Sequence, residues 1–185
     1  MLYFLKKKIR IVFFSLCFLN ISCTHSTSVD KDNLIKNYEL NKEDITDLIE
    51  YFDSIVPANT KIEIEIESTI FAKIFNIKQD GVLNNNWDID LNGEIGKELM
   101  SSVGWGVEHI EELKLRLDAA NCISINNFNN HTVGYCRHGM GIYNYIILED
   151  SANSDVYEDC SYIKYNDDVI FEYVSGATGS LCFPE

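Results

Sequence analysis

Seven residues, Lys61 to Glu67 (KIEIEIE), leave the chain least choice of conformation. Ile62, Ile64 and Ile66 fall on one face of an extended segment, and Glu63, Glu65 and Glu67 on the other. A repeat of two places successive side chains on opposite sides only in a β-strand. Ile70 to Lys78, β-branched and aromatic, continues that strand or pairs with it, and Asp80-Gly81 marks a turn. Trp87, Ile89 and Leu91 alternate with Asp88 and Asp90 in a third strand.

Helical spacing interrupts this pattern. Ile45, Leu48, Ile49, Phe52 and Ile55 predict a helix over 41–56, with Asn41 as cap, Asp44 three residues on, and Pro57 past the end. A shorter helix is expected over 93–102, capped by Asn92 and weakened by Gly93 and Gly96, until Gly104-Trp105-Gly106 breaks it. Residues 107–119 form a third. Ile110, Leu113, Leu117 and Ala120 line one face, Glu112 and Arg116 stand a turn apart, and His109 faces solvent. From Cys122 the chain reads as strands over 121–126, 132–137, 142–149, 160–165 and 169–174. Turns fall at His138–Gly141 and Asn166–Asp168. Strands, then helices, then a strand-rich end imply an α+β single domain, an antiparallel sheet with two or three packed helices.

The N-terminus has a different texture. Lys6, Lys7, Lys8 and Arg10 precede an apolar run, Ile11 to Ile21, broken only by Ser15 and Asn20; Ser22 then leads to Cys23. This order resembles a bacterial lipoprotein signal, with Asn20 where that family usually has Leu. The resemblance implies cleavage before Cys23, lipidation of Cys23, and a lipid anchor to the membrane of the cell envelope. Thr24, standing where Asp often signals inner-membrane retention, favours the outer membrane or cell surface. The run is shorter than the roughly 20 residues that span a bilayer. Residues 1–22 are thus read as signal peptide, 23–38 as a flexible Ser/Thr/Asp-rich tether and 39–185 as the domain.

Charge narrows the partners. The signal holds four of the 15 basic residues and none of the 29 acidic ones, so the rest carries eleven against 29, a net of −18. Such a chain repels nucleic acid and suits a cationic partner. If Cys23 is lipidated, Cys122, Cys136, Cys160 and Cys182 remain for disulfides. A hairpin about Asn166-Asp167-Asp168 sets Cys160 opposite Val174. Gly176 and Gly179 then let the chain return to Cys182, so a Cys160–Cys182 bridge is expected. Whether Cys122 and Cys136 pair is left open.

The C-terminal half (CISI, RHGMGIYNY, YNDDVIFEY and the terminal CFPE, over 105–184) resembles small exported Bacteroidetes proteins of uncharacterised function. That resemblance implies export and an α+β fold and carries no activity.

Three segments offer chemistry. In DIDLNGEIGKEL, residues 88–99, Asp88, Asp90, Asn92, Gly93 and Ile95 match an EF-hand loop. Position 12 is Leu99, with Glu98 one residue early, and a strand replaces the entering helix, so no metal is expected. Arg137-His138-Gly139-Met140-Gly141 is a Gly-rich turn that can present Arg137 and His138, with Tyr143 nearby, to a ligand. Ser175 to Ser180 lacks the Lys and the helix start of a phosphate loop, and reads as a connection. No cofactor motif is present. The leading expectation is a non-enzymatic, acidic binding domain, possible in an immunity-like form that masks a cationic secreted toxin. The alternative is an envelope enzyme centred on Arg137 and His138.

Overall fold

A computed structural model describes residues 31–148, 159–176 and 182–183. Cys23, the signal segment, the tether as far as residue 30, and Gly179 lie outside the described residues.

Among the described residues the chain runs α1 (Lys31–Ile55), β1 (Thr60–Ser68), β2 (Phe71–Gln79), β3 (Val82–Asn84), β4 (Trp87–Asp90), α2 (Glu94–Ser102), α3 (Val107–Ala119), β5 (Ser124–Asn126), β6 (His131–His138), β7 (Gly141–Ile147), β8 (Tyr162–Lys164) and β9 (Val169–Val174). Every pairing is antiparallel, in one sheet ordered β3-β2-β1-β5-β6-β7-β9-β8, with β4 beside β2. The fold is α+β, as the sequence pattern predicts.

Local chemistry explains the joints. Asp80 and Gly81 both take left-handed backbone, φ 51° and 80°, in the two-residue turn joining β2 to β3. This is the turn geometry that matches strand twist. Gly104 (φ 70°) turns the chain out of α2. Trp105 then enters the core, stacks on Phe75 at 5.6 Å and donates its indole N–H to the Ile55 carbonyl at 2.9 Å. That bond ties the end of α1 to the start of α3.

Several expected boundaries are corrected. The helix expected from residue 41 begins at Lys31, so 31–38 is not tether. Leu34 is fully buried, and Asn37 donates to the Tyr145 hydroxyl at 2.9 Å and accepts from the Asn121 amide at 2.6 Å. A buried amide rather than a full apolar stripe anchors this turn, which hides it from a search for periodicity. Asn41 is inside the helix, donating to the Asn37 carbonyl at 2.9 Å. The residue preceding α2 is Gly93, with no side-chain cap, because the Asn92 N–H turns back to Asp90 Oδ1 at 2.9 Å. His109 is not simply solvated: its Nδ1 accepts the Gly106 N–H at 2.9 Å and caps α3. β5 starts late because the Cys122 N–H is still bonded to Leu117 O at 2.8 Å, closing the end of α3.

Strand alternation gives the sheet two unlike faces. Ile62, Ile64, Phe75, Val133, Tyr145 and Phe171 belong to the main core with Leu48, Phe52, Leu113 and Leu117 from α1 and α3. The helices are joined by Arg116, which pairs with Glu112 at 2.8 Å and with Asp47, and sits 4.7 Å over the Tyr51 ring. The second face carries Glu63, Glu65, Asn76, Ser124, Asn144 and Glu172 in the intervening positions. Ile146, Leu148 and Ile170 form a small separate cluster with Tyr162.

Candidate functional site

The polar second face can be followed residue by residue through the strand register. One row crosses the sheet as Trp87, Ile74, Glu65, Ser124, Gly134, Asn144, Glu172 and Tyr162. The adjacent row begins Asn76, Glu63, Asn126 and Thr132. Large side chains stand at both ends of the first row and small ones at its middle. Gly134 has no side chain at all, and a Cβ there would collide with Ser124 Oγ and stand 2.8 Å from Ile142 Cδ1. A glycine inside a strand commonly marks such a close approach. The result is a cavity of about 320 Å³ over the middle strands.

Its floor is polar: Ser124, Asn126, Thr132 and Asn144. Its walls are apolar: Ile74 on one side, Met140, Ile142 and Val174 on the other. Met140 and Val174 are both exposed at the rim.

Three carboxylates, Glu63, Glu65 and Glu172, and one guanidinium, Arg137, also line it. Glu65 is almost fully buried, and Arg137 grips it in a two-pronged contact, Nε to Oε1 at 2.7 Å and Nη2 to Oε2. This fork geometry is the strong form of an ion pair. The hydrogen bonds that Arg137 donates to Glu65 raise the Arg137 pKa above its ordinary value, so the guanidinium stays charged. Glu63 accepts the Asn76 amide at 2.8 Å, and Glu172 accepts the Asn144 amide at 2.7 Å. With Glu65 balanced by Arg137, the lining keeps an excess of two negative charges.

The expected trio of Arg137, His138 and Tyr143 is not brought together. Arg137 lines the cavity, but its guanidinium is committed to Glu65. His138 is exposed at the end of β6 and is not part of the lining. Tyr143 sits opposite Cys136 and is buried in the main core, on the other face from Arg137, its ring 4.9 Å from Tyr173 and 5.9 Å from Phe183. A bulge between Gly134 and Cys136 shifts the register there, and each residue along a strand reverses face, so neighbours in sequence were separated. The residues missed, Glu63, Ser124, Asn126, Thr132, Asn144 and Glu172, come from five strands, β1, β5, β6, β7 and β9. Two signals were present: the glutamate stripe of Lys61–Glu67, and a lone glycine within the β6 pattern.

At 88–99 the strand reading holds. Trp87–Asp90 is β4, Asp88 takes φ 54°, and Asp90 Oδ1 accepts the Asn92 N–H at 2.9 Å. Cys160 and Cys182 stand at disulfide-bonding distance, Cα atoms 4.6 Å apart, beside the β8–β9 hairpin. The Phe183 N–H closes onto Cys160 O at 3.0 Å. No helix among the described residues is long and apolar enough to cross a membrane.

The chain matches no protein family, no curated protein and no solved structure, so the site must be read from its own chemistry.

Proposed function

We propose that this protein is a lipid-anchored component of the cell envelope whose acidic domain binds a cationic protein partner without catalysing a reaction, and that the cavity on the sheet's second face is the binding site. The observation that carries the reading is the pair of carboxylates, Glu63 and Glu172, bonded to side-chain amides and set between apolar walls, in a lining with three carboxylates and one guanidinium. A lysine or arginine side chain has this same division, an apolar stem and a charged head. Its stem fits against Ile74, Ile142 and Val174 while its head reaches the carboxylates. The net charge of −14 over the whole chain steers such a partner toward the domain before contact. An immunity-like role, masking a basic secreted toxin, is the concrete form of this reading. The envelope-enzyme alternative is disfavoured because Arg137 is held by Glu65 and His138 stands outside the lining.

Calorimetry with an extended peptide alternating lysine and leucine tests it, against the same peptide with glutamate for lysine. The lysine peptide should bind, weaken steeply with salt, and lose at least tenfold in affinity to the Glu63→Gln/Glu172→Gln protein. Equal binding of the glutamate peptide, or affinity unchanged by the double substitution, would contradict the proposal. The anchor is tested separately: Cys23→Ala should release the protein from the membrane fraction, and unchanged membrane association with normal processing would refute lipidation.

A further inference from the structure

A second cavity, also about 320 Å³, opens beside α3, and its lining includes both Cys122 and Cys136 together with Lys73, Lys114 and Asp118. Both cysteines are buried thiols. They reach each other through the sheet. β5 and β6 pair as far as Ser124 opposite Gly134, and just beyond the ladder the Ile123 N–H donates to Gly134 O at 2.7 Å. Cys122 lies two residues before Ser124, between α3 and β5, and Cys136 lies two residues past Gly134 in β6. The bulge after Gly134 turns Cys136 into the same core cluster that holds Cys122. Both thiols therefore line one cavity and belong to one core cluster, on segments joined by the Ile123–Gly134 bond.

We propose that Cys122 and Cys136 are a redox modification site, a conditional second disulfide closed by exchange with a small disulfide that enters this cavity. One cysteine thiolate attacks a sulfur of the small disulfide, breaking its S–S bond and releasing one thiol. The other cysteine then attacks the mixed disulfide, forming the Cys122–Cys136 bond and releasing the second thiol. Both cysteine protons leave on the two released thiols, so the protein loses two electrons and the small disulfide gains them.

The structure explains why this pair rests as thiols while Cys160 and Cys182 stand at bonding distance. The Cys122 thiol donates to Ala120 O at 3.3 Å, pointing along its own chain. Burial also holds its pKa well above the ordinary thiol value, which leaves little thiolate to start the exchange. Cys160 by contrast is exposed. The bridge would fasten the segment leaving α3 to β6, one residue from Arg137, so closure would stiffen the Glu65–Arg137 pair that lines both cavities.

The test uses the full chain, folded, incubated with oxidised glutathione, trapped with acid and mapped by peptide mass without reduction. A linked pair of Cys122 and Cys136 peptides should form, with Cys160 and Cys182 still joined to each other and the melting temperature raised. In Cys136→Ser, Cys122 should stop at a glutathione adduct or stay a thiol, and the rise in melting temperature should vanish. Should that variant fail to fold, Cys122→Ser gives the same readout from the other side. Three results would overturn the proposal. They are both thiols recovered unchanged after prolonged incubation, a Cys122–Cys136 link that forms only above the unfolding midpoint in urea, or links to Cys160 or Cys182 in place of the pair.

Discussion

At Tyr143 a phenol is packed into the core, and its hydroxyl has no hydrogen-bond partner among the described residues. Leaving such a group unpaired costs roughly 1–3 kcal/mol. Tyr143→Phe should therefore raise stability by about 1 kcal/mol, read from urea unfolding; a loss of that size would mean the hydroxyl is in fact bonded. The same burial governs alkaline behaviour. It pushes the Tyr143 phenol up to about 12 from 10.0, and raises Tyr145 and the Cys122 thiol as well. These groups keep their protons in the folded state at pH values where the unfolded chain releases them. Their contribution is complete below the unfolded values and is lost as pH rises through the folded ones. Stability should fall from near pH 9, where an unfolded Cys122 ionises, and more steeply between 10.0 and about 12, where unfolded tyrosines follow. Urea midpoints at a series of pH values check this, and a flat profile across that window would contradict it.

At the scale of elements, β6 shows what decides the site. Gly134 lets Ser124, Ile142 and Asn144 converge, so Gly134→Ala should destabilise by about 1–3 kcal/mol through overpacking. Ser124→Gly in the same chain should recover much of that loss, since it removes the colliding oxygen. Additive effects in this double-mutant cycle would show that the two residues do not meet. The same strand marks how far sequence reasoning reaches. Period-two alternation at Lys61–Glu67 and period-3.6 spacing at Val107–Ala119 are local signals, and both elements stand where they were expected. The first turns of α1 were missed because Asn37 secures them through contacts 84 and 108 residues distant, which no local window registers. Arg137 was legible as a functional candidate from its Gly-rich turn. Its partner Glu65 was not, because 72 residues separate them and only the sheet register joins them. Tyr143 was assigned to the site by nearness in sequence, but it faces the core with Tyr145, and the bulge in β6 turns Arg137 to the other face.

For the whole molecule, two features set stability and function apart. The pairing of Cys160 with Cys182 holds the C-terminal segment, including Phe183, against Tyr143 and Tyr173. Cys160→Ser/Cys182→Ser should lower stability by about 3 kcal/mol on the chain-entropy account, measured by urea unfolding, and an unchanged midpoint would show that the bridge constrains nothing. The proposed function rests on charge in a particular place rather than on charge in general. Acidic residues also crowd α1 and α3, from Glu43, Asp44 and Asp47 to Glu108, Glu111 and Glu112. A merely acidic surface would gather cations there as readily as in the cavity. Backbone-amide NMR during titration with the lysine–leucine peptide separates these cases. The account predicts saturable shifts centred on Glu63, Asn126, Thr132, Asn144 and Glu172, with the Trp87 indole moving at the edge of the same face. Shifts of equal size spread along α1 and α3, without saturation, would contradict it.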